Sequence, residues 1–141
     1  MFIKKFLTMD YIVEDNIREI MEDSFIFDFN DYLDYKNEKR YIYILYNDLK
    51  EPIGYALTEE KYIESISDDY FGKAVWIESF EILSYLRGKN IGDLFFKLLC
   101  EDIENKKIFL LSTSRAYNFW SNMGFDIELD YSEDCTYLLR E

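Results

Sequence analysis

Two carboxylates and one short turn are where this chain has residues suited to chemistry. Residues 77–92 read Ile-Glu-Ser-Phe-Glu-Ile-Leu-Ser-Tyr-Leu-Arg-Gly-Lys-Asn-Ile-Gly. An apolar run holding Glu78 and Glu81 enters the turn Arg87-Gly88-Lys89-Asn90-Ile91-Gly92, and an amphipathic run begins at Asp93. Strand, glycine-bearing turn and helix start aim backbone N–H groups at a phosphate, and the helix dipole adds to the attraction. Arg87 and Lys89 add local positive charge. The turn is therefore read as the seat of a pyrophosphate, and the strand before it as the carrier of the reacting groups. Glu78 and Glu81 lie across a break in the alternation between Ile77 and Phe80. A bulge there re-aims side chains, and bulges are over-represented beside active sites. Either glutamate can act as a base or bind an ammonium group. Glu81 is favoured because it adjoins the strand's opening; the plain alternative for each is a solvated strand face.

The composition narrows the chemistry further. There is no histidine, which excludes Ser-His-Asp and Cys-His catalysis and every His-ligated metal site; no metal is expected. Proton transfer falls to carboxylate, tyrosine, cysteine, lysine or water. The formal net charge is −13, so no basic surplus exists to neutralise a nucleic acid. Such a balance suits a cationic partner such as an amine, or simply solubility. Cys100 and Cys135 show no CxxC spacing and are read as reduced, packed thiols. Lysines interrupt the apolar residues of Met1 to Leu7, unlike a signal peptide, and no stretch reaches the length of a membrane span. The expectation is a cytoplasmic protein folded as one domain over residues 1–141.

The elements that must position the turn follow from periodicity. Phe2 to Thr8 is a first strand, and Asp10 to about Phe29 a helix whose apolar face is Ile12, Ile17, Ile20 and Met21. Residues 31–39 are a second short helix or a loop. Arg40 to Tyr46 and Ile53 to Thr58 are strands joined by a turn, and Glu59 to Tyr70 is a loop. Lys73 to Leu83 is the strand before the turn, with Trp76 read as core. Ile91, Leu94, Phe95, Leu98, Leu99 and Ile103 mark the helix after it. Ile108 to Leu111 predicts a strand covered on both faces. Thr113 or Ser114 caps a helix that Gly124 stops, and Phe125 to Asp130 with Thr136 to Leu139 close the chain as a hairpin. The strand-helix-strand passage from Val75 to Ser112 requires a parallel crossover. The fold class is α/β: a mixed, mostly antiparallel sheet of six to seven strands with that β-α-β crossover and about four helices.

These residues also carry a resemblance. Arg87-Gly88-Lys89-Asn90-Ile91-Gly92 resembles motif A of the GCN5-related N-acetyltransferase (GNAT) superfamily, Arg/Gln-x-x-Gly-x-Gly/Ala. Phe119-Trp120-Ser121-Asn122-Met123-Gly124-Phe125 resembles its motif B, and the order of elements agrees over essentially the whole chain. Two positions depart from the pattern. Asn90 stands where the first glycine of the pair is usual, and Asn tolerates the left-handed conformation. Trp120 stands where many members have a tyrosine that protonates the departing thiolate; the acid would then be Tyr117, a water, or nothing.

The resemblance implies direct transfer of acetyl from acetyl-coenzyme A to a primary amine of a small molecule or protein. By position, the backbones of Phe80, Glu81, Ile82 and Leu83 would pair with the pantetheine arm and supply an oxyanion donor. The amides of Gly88, Lys89, Asn90, Ile91, Gly92 and Asp93 would face the pyrophosphate. Ser114, Tyr117 and Asn118 would border the coenzyme's lower half. Tyr41 and Tyr43 could line the acceptor groove, with core or rim packing the plainer reading. Two other functions stay open: a GNAT-fold protein that binds the coenzyme and acts through protein–protein contact, and an acidic interaction protein using the fold as scaffold. The acceptor is not legible, and a homodimer stays open.

Overall fold

The computed structural model describes residues 1–23, 40–104, 106–131 and 134–141. Its elements are β1 (Phe2–Leu7), α1 (Asp15–Asp23), β2 (Arg40–Tyr46), β3 (Pro52–Tyr62), β4 (Lys73–Ile82), α2 (Ile91–Ile103), β5 (Ile108–Thr113), α3 (Tyr117–Asn122), β6 (Ile127–Tyr131) and β7 (Cys135–Arg140). The strands pair in the order β1-β2-β3-β4-β5-β7-β6. β4 and β5 run parallel, with Val75, Trp76 and Ile77 opposite Ile108, Phe109 and Leu110. The β1–β2, β5–β7 and β6–β7 pairs are antiparallel. The mixed sheet and the parallel β4–α2–β5 crossover are those expected. Three α-helices lie among the described residues; the helix or loop expected at 31–39 falls outside them. No helix among the described residues is long and apolar enough to cross a membrane.

The chain divides into two compact units: Met1–Thr58 with Ser79–Asp102, and Glu59–Glu78 with Ile103–Glu141. β3 and β4 pass from one to the other. In the first unit Ile17, Met21, Ile42, Ile44, Leu57, Phe95 and Leu99 are fully buried. They come from the 3.6-residue stripe of the helices and the inward positions of the strands. In the second, Ile63, Ala74, Phe109 and Leu139 form the core, with Trp76 packed against it. Trp76 meets Phe109 edge-on at 5.0 Å, as its reading as a core residue requires.

Several boundaries differ from expectation. α1 begins at Asp15, because Thr8–Asp10 forms a separate 3-10 turn; residues 24–29 lie outside the described ones. β3 does not stop at Thr58. It runs through Glu59, Glu60 and Lys61 to Tyr62, and a 3-10 turn follows at Ile63–Ser65. The charges that suggested a loop are matched on the strand: Glu60 pairs with Lys73 at 3.0 Å and Lys106 at 3.3 Å. The Lys61 ammonium lies 5.1 Å from the Trp76 ring centroid. Cross-strand pairs of this kind replace the apolar pattern that periodicity looks for. In β5, Ile108, Phe109 and Leu110 are buried but Leu111 is 38% exposed, so cover on both faces ends one residue early.

Candidate functional site

The turn after β4 is shaped by two left-handed residues. Leu83 leads into a 3-10 turn over Ser84–Leu86, with the Leu86 N–H on Leu83 O at 2.9 Å and the Arg87 N–H on Ser84 O at 3.3 Å. Gly88 has φ +80 and Asn90 φ +60. Asn is the non-glycine residue best suited to this region, which is why the turn survives without a glycine there. Asn90 O accepts the first helical bond, from the Leu94 N–H at 3.3 Å. α2 therefore starts at Ile91, two residues before the expected Asp93. The amides of Ile91, Gly92 and Asp93 fall in the first helical turn, where no intrahelical acceptor exists. Ile91 is buried and anchors the helix start, whereas Arg87, Gly88, Lys89 and Asn90 are exposed. A Cβ at Gly88 would meet nothing within 4 Å. The turn thus offers free space, left-handed backbone, first-turn amides and two cationic side chains, and these fit a pyrophosphate. Asp93 is the one acid in that first turn, so its amide, not its side chain, is the part suited to an anion.

β4 carries the carboxylates on a backbone whose N–H groups switch edges along its length. The Val75 N–H donates to Lys107 O, on the β5 edge, at 2.9 Å. The Leu83 N–H donates to Ile53 O, on the β3 edge, at 3.0 Å. In a regular strand, residues an even number apart point their N–H groups to the same edge. The strand must therefore contain an irregularity between Val75 and Leu83, where the sequence puts a bulge. The Leu83 amide, offered to pantetheine by position, is committed to β3. Regular alternation back from Leu83 sends the Glu81 amide the same way and turns those of Phe80 and Ile82 to the other edge. The Phe80 ring stacks on Phe95 of α2 at 4.8 Å.

Glu81 and Ser79 converge on Tyr55 of β3. The Tyr55 hydroxyl donates to Glu81 Oε2 at 3.1 Å and lies 3.1 Å from Ser79 Oγ. Tyr55 and Ser79 are buried and Glu81 half-buried. Glu78 is exposed on the second unit's part of β4.

No family model and no curated protein matches the sequence. Solved structures do. An acyl-CoA N-acyltransferase from Pseudomonas aeruginosa superposes with TM-score 0.70 at 13% identity, covering 99% of this chain and 98% of that one. An aminoglycoside 6'-N-acetyltransferase complexed with coenzyme A gives 0.69 at 12% identity, over 99% and 94%. A protein of the GNAT family from Bacteroides thetaiotaomicron gives 0.65 at 19% identity, over 99% and 86%. The fold is that of the GNAT proteins. At these identities the likeness is one of fold, and chemistry has to come from the residues.

Within this GNAT fold the remaining candidate residues lie in the second unit. The Ser114 N–H donates to Asp134 O at 3.1 Å. Neither Thr113 nor Ser114 caps α3: the N-cap is Ala116, without a side-chain cap bond, and Thr113 Oγ1 instead accepts from the Ala116 N–H at 3.3 Å in the turn before the helix. Asn118 is exposed on α3. The Tyr117 hydroxyl donates to Glu128 Oε1 at 2.6 Å. That bond, then the charge of Glu128, raises the phenol's pKa and makes it a weaker acid. Trp120 is buried, edge-on to Phe119 at 4.8 Å and to Phe125 at 5.3 Å.

Tyr41 and Tyr43 belong to other contacts. Lys5 Nζ sits 4.3 Å from the Tyr41 ring centroid, and the Tyr43 hydroxyl donates to Asp102 Oδ2 at 2.6 Å. Burial, then the Asp102 bond, pushes the Tyr43 phenol far above its usual range. The residues that sequence reasoning missed are Tyr55 and Ser79. Only the alternation of β3, which puts Tyr55 and Leu57 on one face, hinted at an inward hydroxyl, and nothing in it named Glu81 as the partner.

Proposed function

We propose that this protein binds acetyl-coenzyme A at the Arg87–Asp93 turn and transfers the acetyl group directly to a primary amine of a small molecule or protein. The observation that carries the reading is the turn itself. Left-handed Gly88 and Asn90 deliver the chain into α2 with the Ile91, Gly92 and Asp93 amides in the first turn and Arg87 and Lys89 exposed. When bound, the thioester supplies an activated acetyl group on a thiolate leaving group.

The chain's own residues then have few tasks. The turn amides and the two cationic side chains hold the pyrophosphate. The edge-facing backbones of Phe80 and Ile82 hold the pantetheine arm, and one N–H there meets the thioester oxygen as charge develops on it. Glu81 takes the proton of the incoming ammonium through a water, or docks the ammonium; Glu78 is the alternative carboxylate. A net charge of −13 favours a cationic acceptor. For Ser114, Tyr117 and Asn118 the support is the sequence resemblance alone.

A thermal-shift titration with acetyl-coenzyme A tests the binding, and free-thiol release with an amine panel tests the transfer. Saturation at about 100 times Kd adds roughly 2.7 kcal/mol of stability, a shift of several degrees. No shift would sink the reading. If transfer is found, unchanged rates in both Glu81→Gln and Glu78→Gln would reject the carboxylate assignment. A second reading, coenzyme binding without turnover and action through protein contact, is favoured by one observation: Trp120 has no acidic proton to give, and the Tyr117 phenol is held by Glu128. A shift with no acetylated amine would support it.

A further inference from the structure

We propose that Tyr55 is a positioning residue: its buried phenol, itself held by Ser79, fixes the Glu81 carboxylate as acceptor of the amine's proton. The inference rests on the reading of Glu81 as that acceptor. Tyr55 is fully buried and Ser79 is 7% exposed. The phenol oxygen lies 3.1 Å from Glu81 Oε2 and 3.1 Å from Ser79 Oγ. A phenol has one proton. Given to Glu81, it leaves the Ser79 hydroxyl to donate to the phenol oxygen. The two bonds then run one way, Ser79 to Tyr55 to Glu81, and each strengthens the other in a low-dielectric interior.

This arrangement differs from ordinary core packing. A phenylalanine at position 55 would fill the same space with no hydroxyl to satisfy. The tyrosine brings a buried donor that must find an acceptor, and that acceptor is a carboxylate on the strand leading to the phosphate turn. Donation to the ionised carboxylate favours the charged form, the form that can take a proton. It also pins one carboxylate oxygen and so gives the other a constant direction. During transfer an ammonium N–H bond breaks and an O–H bond forms on Glu81 through one water; the proton returns to solvent after the product leaves. Among the described residues, Tyr55 of β3 faces Glu81 through its hydroxyl. On its own strand the nearest carboxylate in sequence is Glu78, and α2 sets the uncharged Phe95 and Phe96 against the neighbouring Phe80.

The test titrates Glu81 directly in the coenzyme-free protein, by carboxyl NMR of 13C-glutamate-labelled wild type, Tyr55→Phe and Ser79→Ala, with Glu81→Gln assigning the resonance. The Glu81 midpoint should rise by about one pH unit in Tyr55→Phe and by less in Ser79→Ala. The acidic limb of kcat/KM should move by the same amount, with KM for acetyl-coenzyme A unchanged. An unshifted midpoint in folded Tyr55→Phe, alongside normal turnover, overturns the proposal alone. A shifted midpoint with no amine acetylated overturns the transfer reading and the proposal with it. Should Tyr55→Phe not fold, Ser79→Ala decides: an unchanged midpoint there overturns the proposal and a raised one supports it.

Discussion

Gly54→Ala measures how closely β3 and β4 are pressed together at the carboxylate. A Cβ at position 54 would stand 3.0 Å from Glu81 O, 3.4 Å from Ile82 Cγ1 and 3.5 Å from Phe95 Cε2. The shortest of these is to backbone, which cannot rotate out of the way as a side-chain tip can. The Phe95 contact at 3.5 Å is ordinary van der Waals distance, so the collision is with the Glu81 carbonyl. The methyl must therefore push the strands apart by a few tenths of an ångström. Overpacking of this kind costs about 1–3 kcal/mol. Against it stands the gain from alanine over glycine within a strand, about 0.5–1 kcal/mol. The net expectation is a loss of about 0.5–2 kcal/mol, read from urea unfolding followed by far-UV circular dichroism. The displaced segment includes Glu81 and adjoins Tyr55, so acetyl transfer should fall more than coenzyme binding. Gly72→Ala is the control. Its φ is +110 and its Cβ would meet nothing within 4 Å, so it carries backbone strain without a collision at the site. A Gly54→Ala protein as stable as wild type, with unchanged turnover, would refute the close approach.

Three further outcomes follow from the same geometry. Asn90→Val should cost about 1–2 kcal/mol, because a β-branched residue resists φ +60, and Asn90→Gly should be tolerated; calorimetric titration should show acetyl-coenzyme A binding weakened in the first and kept or tightened in the second. Tyr117→Phe should leave kcat within about two-fold of wild type, since the Glu128 bond makes the phenol a poor acid; a loss of 100-fold or so would restore Tyr117 as the acid. Lys73, with Lys106, holds the Glu60 carboxyl below its ordinary 4.5. A depressed carboxylate adds stability above its unfolded pKa and loses it as pH falls through the folded value. Glu60→Gln should therefore cost about 0.2–1 kcal/mol at neutral pH, the worth of exposed pairs. Its urea midpoint should converge on that of wild type as pH falls below 4.5 and through the lowered folded value.

Local pattern made the turn legible. Arg87-Gly88-Lys89-Asn90 and the amphipathic run after it specify a strand–turn–helix start within a dozen residues, and the left-handed φ values at Gly88 and Asn90 are what such a turn needs. The break between Ile77 and Phe80 falls within the Val75–Leu83 stretch over which the N–H groups lose their regular alternation. Glu60 and Lys61 hid the last third of β3, because ion pairing and contact with Trp76 stand in for apolar alternation there. Tyr41 and Tyr43 show the opposite failure. They looked free to line a groove, yet Lys5 and Asp102, distant in sequence, engage them.

The sequence by itself determined the order of the described elements, the parallel crossover and the glycine-bearing turn before α2. Each depends on periodicity, glycine placement or handedness, which act over a few residues. Only the tertiary structure decided what Glu81 touches, which of its neighbours' amides are committed to β3, and that Tyr117 is turned to Glu128. Those depend on register and on contacts between residues 11 to 30 positions apart. A one-residue slip in strand pairing reverses every face, and no local pattern fixes that register to the ångström.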